Sequence, residues 1–495
     1  MRRRRVGTIK GISLLELVRR HWLVLVVGYV FAFLDPFGIN SKTSQAISDA
    51  FDRMYSPFYT RELAGSASGD LVDVILIDDL SIYTLAKEEY GYLQANDWPL
   101  AYSDYGVIID ALRRHGYGTV ILDVTFYRAR RLDKSFQTLV SRLDYFRDKT
   151  GINVIVGAGD DPGELEPSIT DLTDAVSALG LTGWSGYGDY YPVSLVRHGH
   201  KTLAVEGYDA YCRNKECQRL TEAGNAWLTP KESGMHISWG LPAERMAASL
   251  GCADVSHSTA WWKLMIIGVR NVFSAETVRA YDEQSCPPLP TAMLSDVFCA
   301  KDECDEFFST GRSQGDRIAI VGVSLPSARD LFDPPIPGRL PGVYLHAEAL
   351  RNLLYYGTDY LKPFRVQFSL ASIGGPAWTL PIDRILAWPL LLWVVLYGVR
   401  RLIHWRWGWE NTSNWPELAI EVGELALVVI LICLVYIVAL ACHRTPGFLI
   451  ELVALMPWLW VAIRNERKEI ENEQKTIALA AYAPEHFAIG RDSIH

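Results

Sequence analysis

Four short runs of β-branched and aliphatic residues, each closed by Asp, Gly or Ser and each adjoining a helical stretch, constrain this chain more than any other feature. Residues 72–77, 119–122, 152–156 and 318–323 are largely apolar without alternation, the pattern of strands buried on both faces of a parallel sheet. Residues 105–114 and 132–147 carry helical periodicity between them, and Leu345, Ala349, Leu353 and Leu354 recur at helical spacing after the fourth run. Strand and helix therefore alternate, which predicts an α/β domain with a mostly parallel sheet and helices on both faces. In such a sheet ligands bind at the carboxyl ends of the strands.

The strand ends are rich in carboxylates. The first run ends in Asp78-Asp79, the second in Asp123, the third in Gly157-Ala-Gly-Asp160-Asp161, and the fourth in Ser324 with Asp330 and Asp333 in the loop that follows. Taken singly, each of these side chains reads as a helix or turn cap. Taken together, they read as a polar cleft, with Asp78, Asp79, Trp98, Asp123 and Asp330 as the candidate ligand-binding residues. The pattern supplies neither a nucleophile and base pair nor a phosphate loop, so the expectation is a binding protein, not an enzyme, with no cofactor and no metal.

Outside this body the composition changes. Hydrophobic residues make up 49% of the 495-residue chain and charged residues 21%, between a typical soluble protein and a polytopic membrane protein. An apolar run at 22–34 follows Arg2 to Arg5, Arg19 and Arg20, and no small-x-small cleavage site follows it. It reads as an uncleaved anchor with the N-terminus in the cytoplasm, although it is short beside the roughly 20 residues a span requires. Three further apolar runs, 385–399, 425–442 and 448–463, have flanking Arg and Lys residues that fit one orientation. The organisation expected is a cytoplasmic N-terminus and first span over 1–38, a large outer domain over 39–365, three spans over 366–463, and a cytoplasmic tail over 464–495. That tail is too short for an enzymatic output domain. A net charge of −9 argues against a nucleic-acid partner.

Residues from about 181 to 314 read as an insertion, aromatic, Gly-rich and less periodic than their surroundings. They hold six Cys: Cys212 and Cys217, Cys299 and Cys304 lie close in sequence, which leaves Cys252 and Cys286 as a third pair. On the oxidising side of a membrane disulfides are the expectation, and proximity alone suggests this pairing. Zinc held by Cys with His198, His200, His236 or His257 is the alternative, without the closely spaced Cys doublets of a structural site.

The stretches Val74-Ile-Leu-Ile-Asp-Asp-Leu-Ser81, Asp97-Trp-Pro99, Thr119-Val-Ile-Leu-Asp123-Val-Thr-Phe126 and Pro341-Gly-Val-Tyr-Leu-His346-Ala resemble the CHASE domain of the second type. That domain is an extracellular sensory module of bacterial receptors, with one span before it and three after. The resemblance covers most of residues 40–365. It implies a multi-pass protein of the bacterial inner (plasma) membrane whose periplasmic domain detects a small molecule or a periplasmic partner. The signal would pass to a separate cytoplasmic effector, with a homodimer as a further expectation. Family members carry a large cytoplasmic output domain, and this chain departs from that pattern after its last span. The alternative function is a membrane effector whose oligomerised helices form a pore or perturb the bilayer, suggested by Asp383, Glu421, Glu424 and Glu451 in or near apolar runs.

Overall fold

The computed structural model describes residues 39–64 and most of 71–363, apart chiefly from 185–189, 221–233, 242–254, 274–286, 299–307, 309–314 and 326–329, with three short strands beyond. The chain divides into two compact units: residues 48–363 with 439–445, and residues 1–47, 364–438 and 446–495. In the second unit the described structure includes an antiparallel pair, Gln367–Ser369 with Thr379–Pro381. Among the described residues no helix is long and apolar enough to cross a membrane, and the four runs at 22–34, 385–399, 425–442 and 448–463 lie outside them.

The first unit is built on a six-stranded sheet in which every neighbouring pair is parallel. Its strands are β1 (Val72–Ile77), β2 (Tyr117–Thr125), β3 (Asn153–Gly157), β4 (Ala178–Gly180), β5 (Thr291–Met293) and β6 (Arg317–Val323), in the order β4-β3-β2-β6-β1-β5. Every residue of β1 and β6 is buried, as expected of central strands covered on both faces.

Helices cover both faces because their apolar residues fall on one stripe. In α3 (Tyr102–Arg114) the buried Tyr105, Ile108, Ile109 and Leu112 follow helical spacing, and in α4 (Phe136–Tyr145) Phe136, Leu139, Val140 and Leu143 repeat it. These two, with α2 (Asp79–Leu85), α5 (Thr170–Ala175) and α8 (Leu294–Val297), pack on one face around a core that includes Ile75, Ile77, Val120, Leu122 and Val321. The other face, with Val72, Val74, Ile121, Ile155 and Ile320, is covered by α6 (Leu203–Cys212) and α9 (Val343–Tyr356). Gly322 of β6 allows α9 to sit close, because a Cβ there would run into Val343.

Residues 181–314, expected as an insertion, also build the sheet domain: α6 lies on the second face and β5 forms an edge strand. Cys212 and Cys217 form a disulfide, while Cys252, Cys286, Cys299 and Cys304 lie outside the described residues.

Two further helices complete the described unit. The helix α1 (Ile39–Ala64) meets the C-terminal half of α9, where Tyr59 stacks on Tyr356 with ring centroids 6.0 Å apart. The helix α7 (Trp261–Phe273) buries Leu264 in a small cluster with Leu241 and Val255, against which Phe58 of α1 packs.

Candidate functional site

The carboxyl ends of β2 and β6 lie side by side, and the helices that follow them leave to opposite faces: α4 after β2 and α9 after β6. That divergence opens a crevice between neighbouring strands. Pairing of β2 with β6 ends at Leu122 opposite Val321, and pairing with β3 skips from Leu122 to Thr125. Asp123 therefore sits where the ladder opens on both sides. Along β2 side chains alternate between faces, so Asp123 projects to the same side as Ile121, towards α9.

After β6 the chain makes the short antiparallel pair β7 (Leu331–Phe332) and β8 (Leu340–Pro341) before entering α9. This folds Asp330 back onto the start of α9. The Gly342 N–H donates to the Asp330 carbonyl at 2.9 Å, and the Asp330 carboxylate lies where a Gly342 side chain would stand. One turn into α9, His346 is buried, with Nε2 4.0 Å from Asp123 Oδ1.

Aromatic residues enclose the imidazole. Trp184 and Tyr191 are both buried and meet its ring edge-on, with centroids 5.9 and 5.6 Å away. The Tyr191 hydroxyl is 2.8 Å from His346 Nδ1 and accepts the Ala204 N–H at 2.9 Å. The roles at this contact follow the imidazole tautomer, and the ring also hydrogen-bonds the Thr182 backbone. Burial lowers the His346 pKa to about 4, against the opposing charge of Asp330, so the ring is neutral at physiological pH.

Both carboxyls of the group are shifted the other way. Burial alone pushes Asp123 up to about 7. Asp330, exposed at the rim, is pushed up to about 6 by partial desolvation and then by the charge of Asp123, with His346 opposing. Asp123 has a side chain only 10% exposed and accepts no hydrogen bond from the described residues; the neutral imidazole lies 4.0 Å away, and Asp330 is near enough for the two carboxyls to feel each other's charge. The other buried acids are satisfied. Asp73 is held by Arg317 at 2.5 Å and by the Tyr117 hydroxyl at 2.8 Å, Asp104 accepts the N–H groups of Gln94, Ala95 and Ala101, and Glu348 pairs with Arg351.

Of the five residues expected from sequence, the structure brings Asp123 and Asp330 together. Asp78 caps α2, accepting the Ser81 N–H at 3.0 Å, and Asp79 lies exposed in the first turn of that helix. Trp98 is half-buried against the core of the opposite face and precedes a cis peptide bond to Pro99. Sequence reasoning did not single out His346, Tyr191 or Trp184. His346 stood within the Pro341-to-Ala347 motif that carries the family resemblance but was not assigned to the site, and Tyr191 and Trp184 carried no signal.

His198 faces Asp161 at 3.1 Å and His236 faces Asp52 at 2.6 Å, each a pair and not a metal set. Among the described residues no group of three or more His, Cys, Asp or Glu side chains is placed to hold a metal ion.

In comparison with known protein families, residues 23–399, more than half of the chain, match the CHASE2 domain. No curated protein and no solved structure matches.

Proposed function

The chain belongs to the CHASE2 domain family, a family of sensory domains, and from that premise we propose that it is an extracytoplasmic membrane sensor. A small molecule or periplasmic partner binds at the carboxyl ends of β2 and β6. The signal passes through membrane-spanning segments to a separate cytoplasmic effector, and the chain acts by binding, without catalysis of its own.

The observation that carries this reading is Asp123. It is nine-tenths buried and pushed up to about 7, and the described residues give it no donor, although every comparable acid in the domain has one. Neither Asp123 oxygen is among the fully enclosed side-chain atoms left without a partner, so the carboxyl is largely desolvated yet open at the strand ends to water or to an incoming donor. A ligand that donates a hydrogen bond or carries positive charge fits the pair of carboxyls.

The route out of the cleft is α9 itself. His346 stands in its first turn, while Arg351, Asn352 and Tyr356 further along face residues 238–240 and α1: Asn352 exchanges hydrogen bonds with the Ser238 backbone, and Tyr356 stacks on Tyr59. A ligand that binds two positions of α9 with different affinity therefore biases the packing of α1.

Thermal melting of the full-length protein against a panel of amines, amino acids, sugars and organic acids tests the site, since a ligand of the folded state raises Tm. The expected result is a compound whose shift is lost in Asp123→Asn and in Asp330→Asn, both of which melt cooperatively without it. A ligand whose shift survives both substitutions refutes the cleft. Reporter fusions at residue 200 and at the C-terminus report opposite compartments if the topology holds, and the same compartment if it fails.

A further inference from the structure

The helix α7 has the sequence Trp261-Trp-Lys-Leu-Met-Ile-Ile-Gly-Val-Arg-Asn-Val-Phe273. Its inner side is held to the domain by Leu264, fully buried, and by Gly268. Gly268 is needed for that approach, because a Cβ there would lie 2.6 Å from the Met54 carbonyl oxygen of α1. Trp261, Trp262, Met265, Ile266 and Val269 form one stripe on the side turned to solvent, each between 40% and 66% exposed. A continuous face of two Trp and three aliphatic or thioether side chains marks an interaction surface.

The charges of α7 identify the kind of partner. Lys263 and Arg270 are its only charged residues and both are exposed, and Lys263 also lies over the Trp262 ring at 5.7 Å. A second copy of the same face would bring these cations against one another with no acid on the helix to answer them. An anionic lipid surface answers both, and Trp with Lys or Arg flanking an apolar stripe is the composition of a helix that lies in the headgroup boundary. Chain connectivity permits it. Met54 follows the apolar run at 22–34 by only 20 residues in sequence, and α7 contacts α1 at Met54.

We propose that α7 is an interfacial helix whose Trp261-to-Val269 face lies in the outer surface of an anionic phospholipid membrane. It thereby gives the sensory domain a second attachment beside its spans. This rests on the membrane-anchored reading above.

The test uses the full-length chain in its native membrane, with a benzophenone amino acid at position 266, an exposed site where folding tolerates the change. Irradiation is expected to yield phospholipid adducts on the peptide containing residue 266. Adducts to a second copy or to another protein, or no lipid adduct, overturn the proposal. Hydrogen exchange in nanodiscs then tests the charge. Each cation near an anionic surface contributes about fivefold, so residues 261–273 are expected to exchange up to about thirtyfold more slowly in phosphatidylglycerol than in phosphatidylcholine discs. Trp262→Glu with Ile266→Glu should abolish that difference, and equal rates for the wild type in both lipids overturn the proposal. Alkaline extraction separates the two readings. A chain that leaves the membrane fraction refutes membrane anchoring itself, whereas an anchored chain without lipid adducts refutes only the role of α7.

Discussion

Asp123 and His346 face each other with displaced pKa values of opposite consequence, and substituting either one exposes the other. For Asp123 the folded pKa is about 7, above the ordinary 3.8. Between those values the folded chain holds a proton that the unfolded chain has lost, so this carboxyl adds stability at low pH, and the contribution disappears as pH rises through 7. For His346 the folded pKa is about 4, below the ordinary 6.5. Between those values the unfolded chain holds the proton, so its contribution is full above 6.5 and lost as pH falls towards 4. The slopes are opposite, each about 1.4 kcal/mol per pH unit, and they cancel over pH 4 to 6.5 in the wild type.

Asp123→Asn removes one slope, and relative to wild type it should gain up to about 4 kcal/mol on going from pH 4 to pH 8. The sign is the decisive part: an exchange of acid for amide that stabilises at pH 8 and is neutral near pH 4. His346→Gln should do the reverse, gaining on the wild type as pH falls below 6.5. Urea unfolding of the detergent-solubilised chain, followed by Trp fluorescence with m held constant, reads both differences. Comparison with wild type at each pH cancels groups common to all three proteins. Loss of the Asp123 charge also lowers Asp330, whose own rise is partly caused by it, and this adds in the same direction. An Asp123→Asn protein whose stability relative to wild type does not change between pH 4 and pH 8 would refute the assignment of a desolvated carboxyl with a raised pKa.

Three further perturbations test the frame around the site. Asp73→Ala strips Arg317 of its buried partner and should cost about 3–5 kcal/mol in denaturant unfolding, far more than a surface acid. Gly322→Ala forces α9 away from β6 and should cost about 1–3 kcal/mol by the same measurement, while Gly199→Ala, where a Cβ meets nothing within 4 Å, should cost less through its positive φ alone. Removing the Cys212–Cys217 disulfide with a double Ser substitution opens a loop of sequence separation 5 and should cost about 2 kcal/mol, seen equally on reduction of the wild type.

The strands visible in the sequence are those whose physics is local. Residues 72–77, 119–122, 152–156 and 318–323 announce themselves because a strand buried on both faces has to be apolar nearly throughout, and each lies within or overlaps an observed strand. The three-residue strands β4 and β5 have no such run; Ala178–Gly180 and Thr291–Met293 are strands only because neighbours present open edges to them. Nor does local pattern reveal that β6 inserts between β1 and β2, which is what places Asp330 and His346 beside Asp123. In sequence Asp78 and Asp123 look alike, each an acid closing an apolar run. A helix begins one residue after Asp78 and takes its carboxylate as a cap, whereas β2 continues past Asp123 to Thr125 and offers it no free N–H. Tyr191, 155 residues from the imidazole it orients, is legible only in three dimensions.

The distribution of buried acids bears on why Asp123 is present. Asp73, Asp104 and Glu348 each stand among donors that offset desolvation, and removing any of them would leave a hole in a network. Asp123 offsets nothing in the described fold. At neutral pH it opposes folding, and Asn would occupy nearly the same volume without the charge. Stability therefore does not account for it, and marginal stability makes a cost of several kcal/mol conspicuous. Sites where sequence and stability disagree are where function resides. A ligand that donates to Asp123 would offset that desolvation on binding. The same logic makes α9 the responsive element: donation to Asp123 and Asp330 changes the field around His346, and the helix carrying that imidazole also carries the tyrosine stacked on α1.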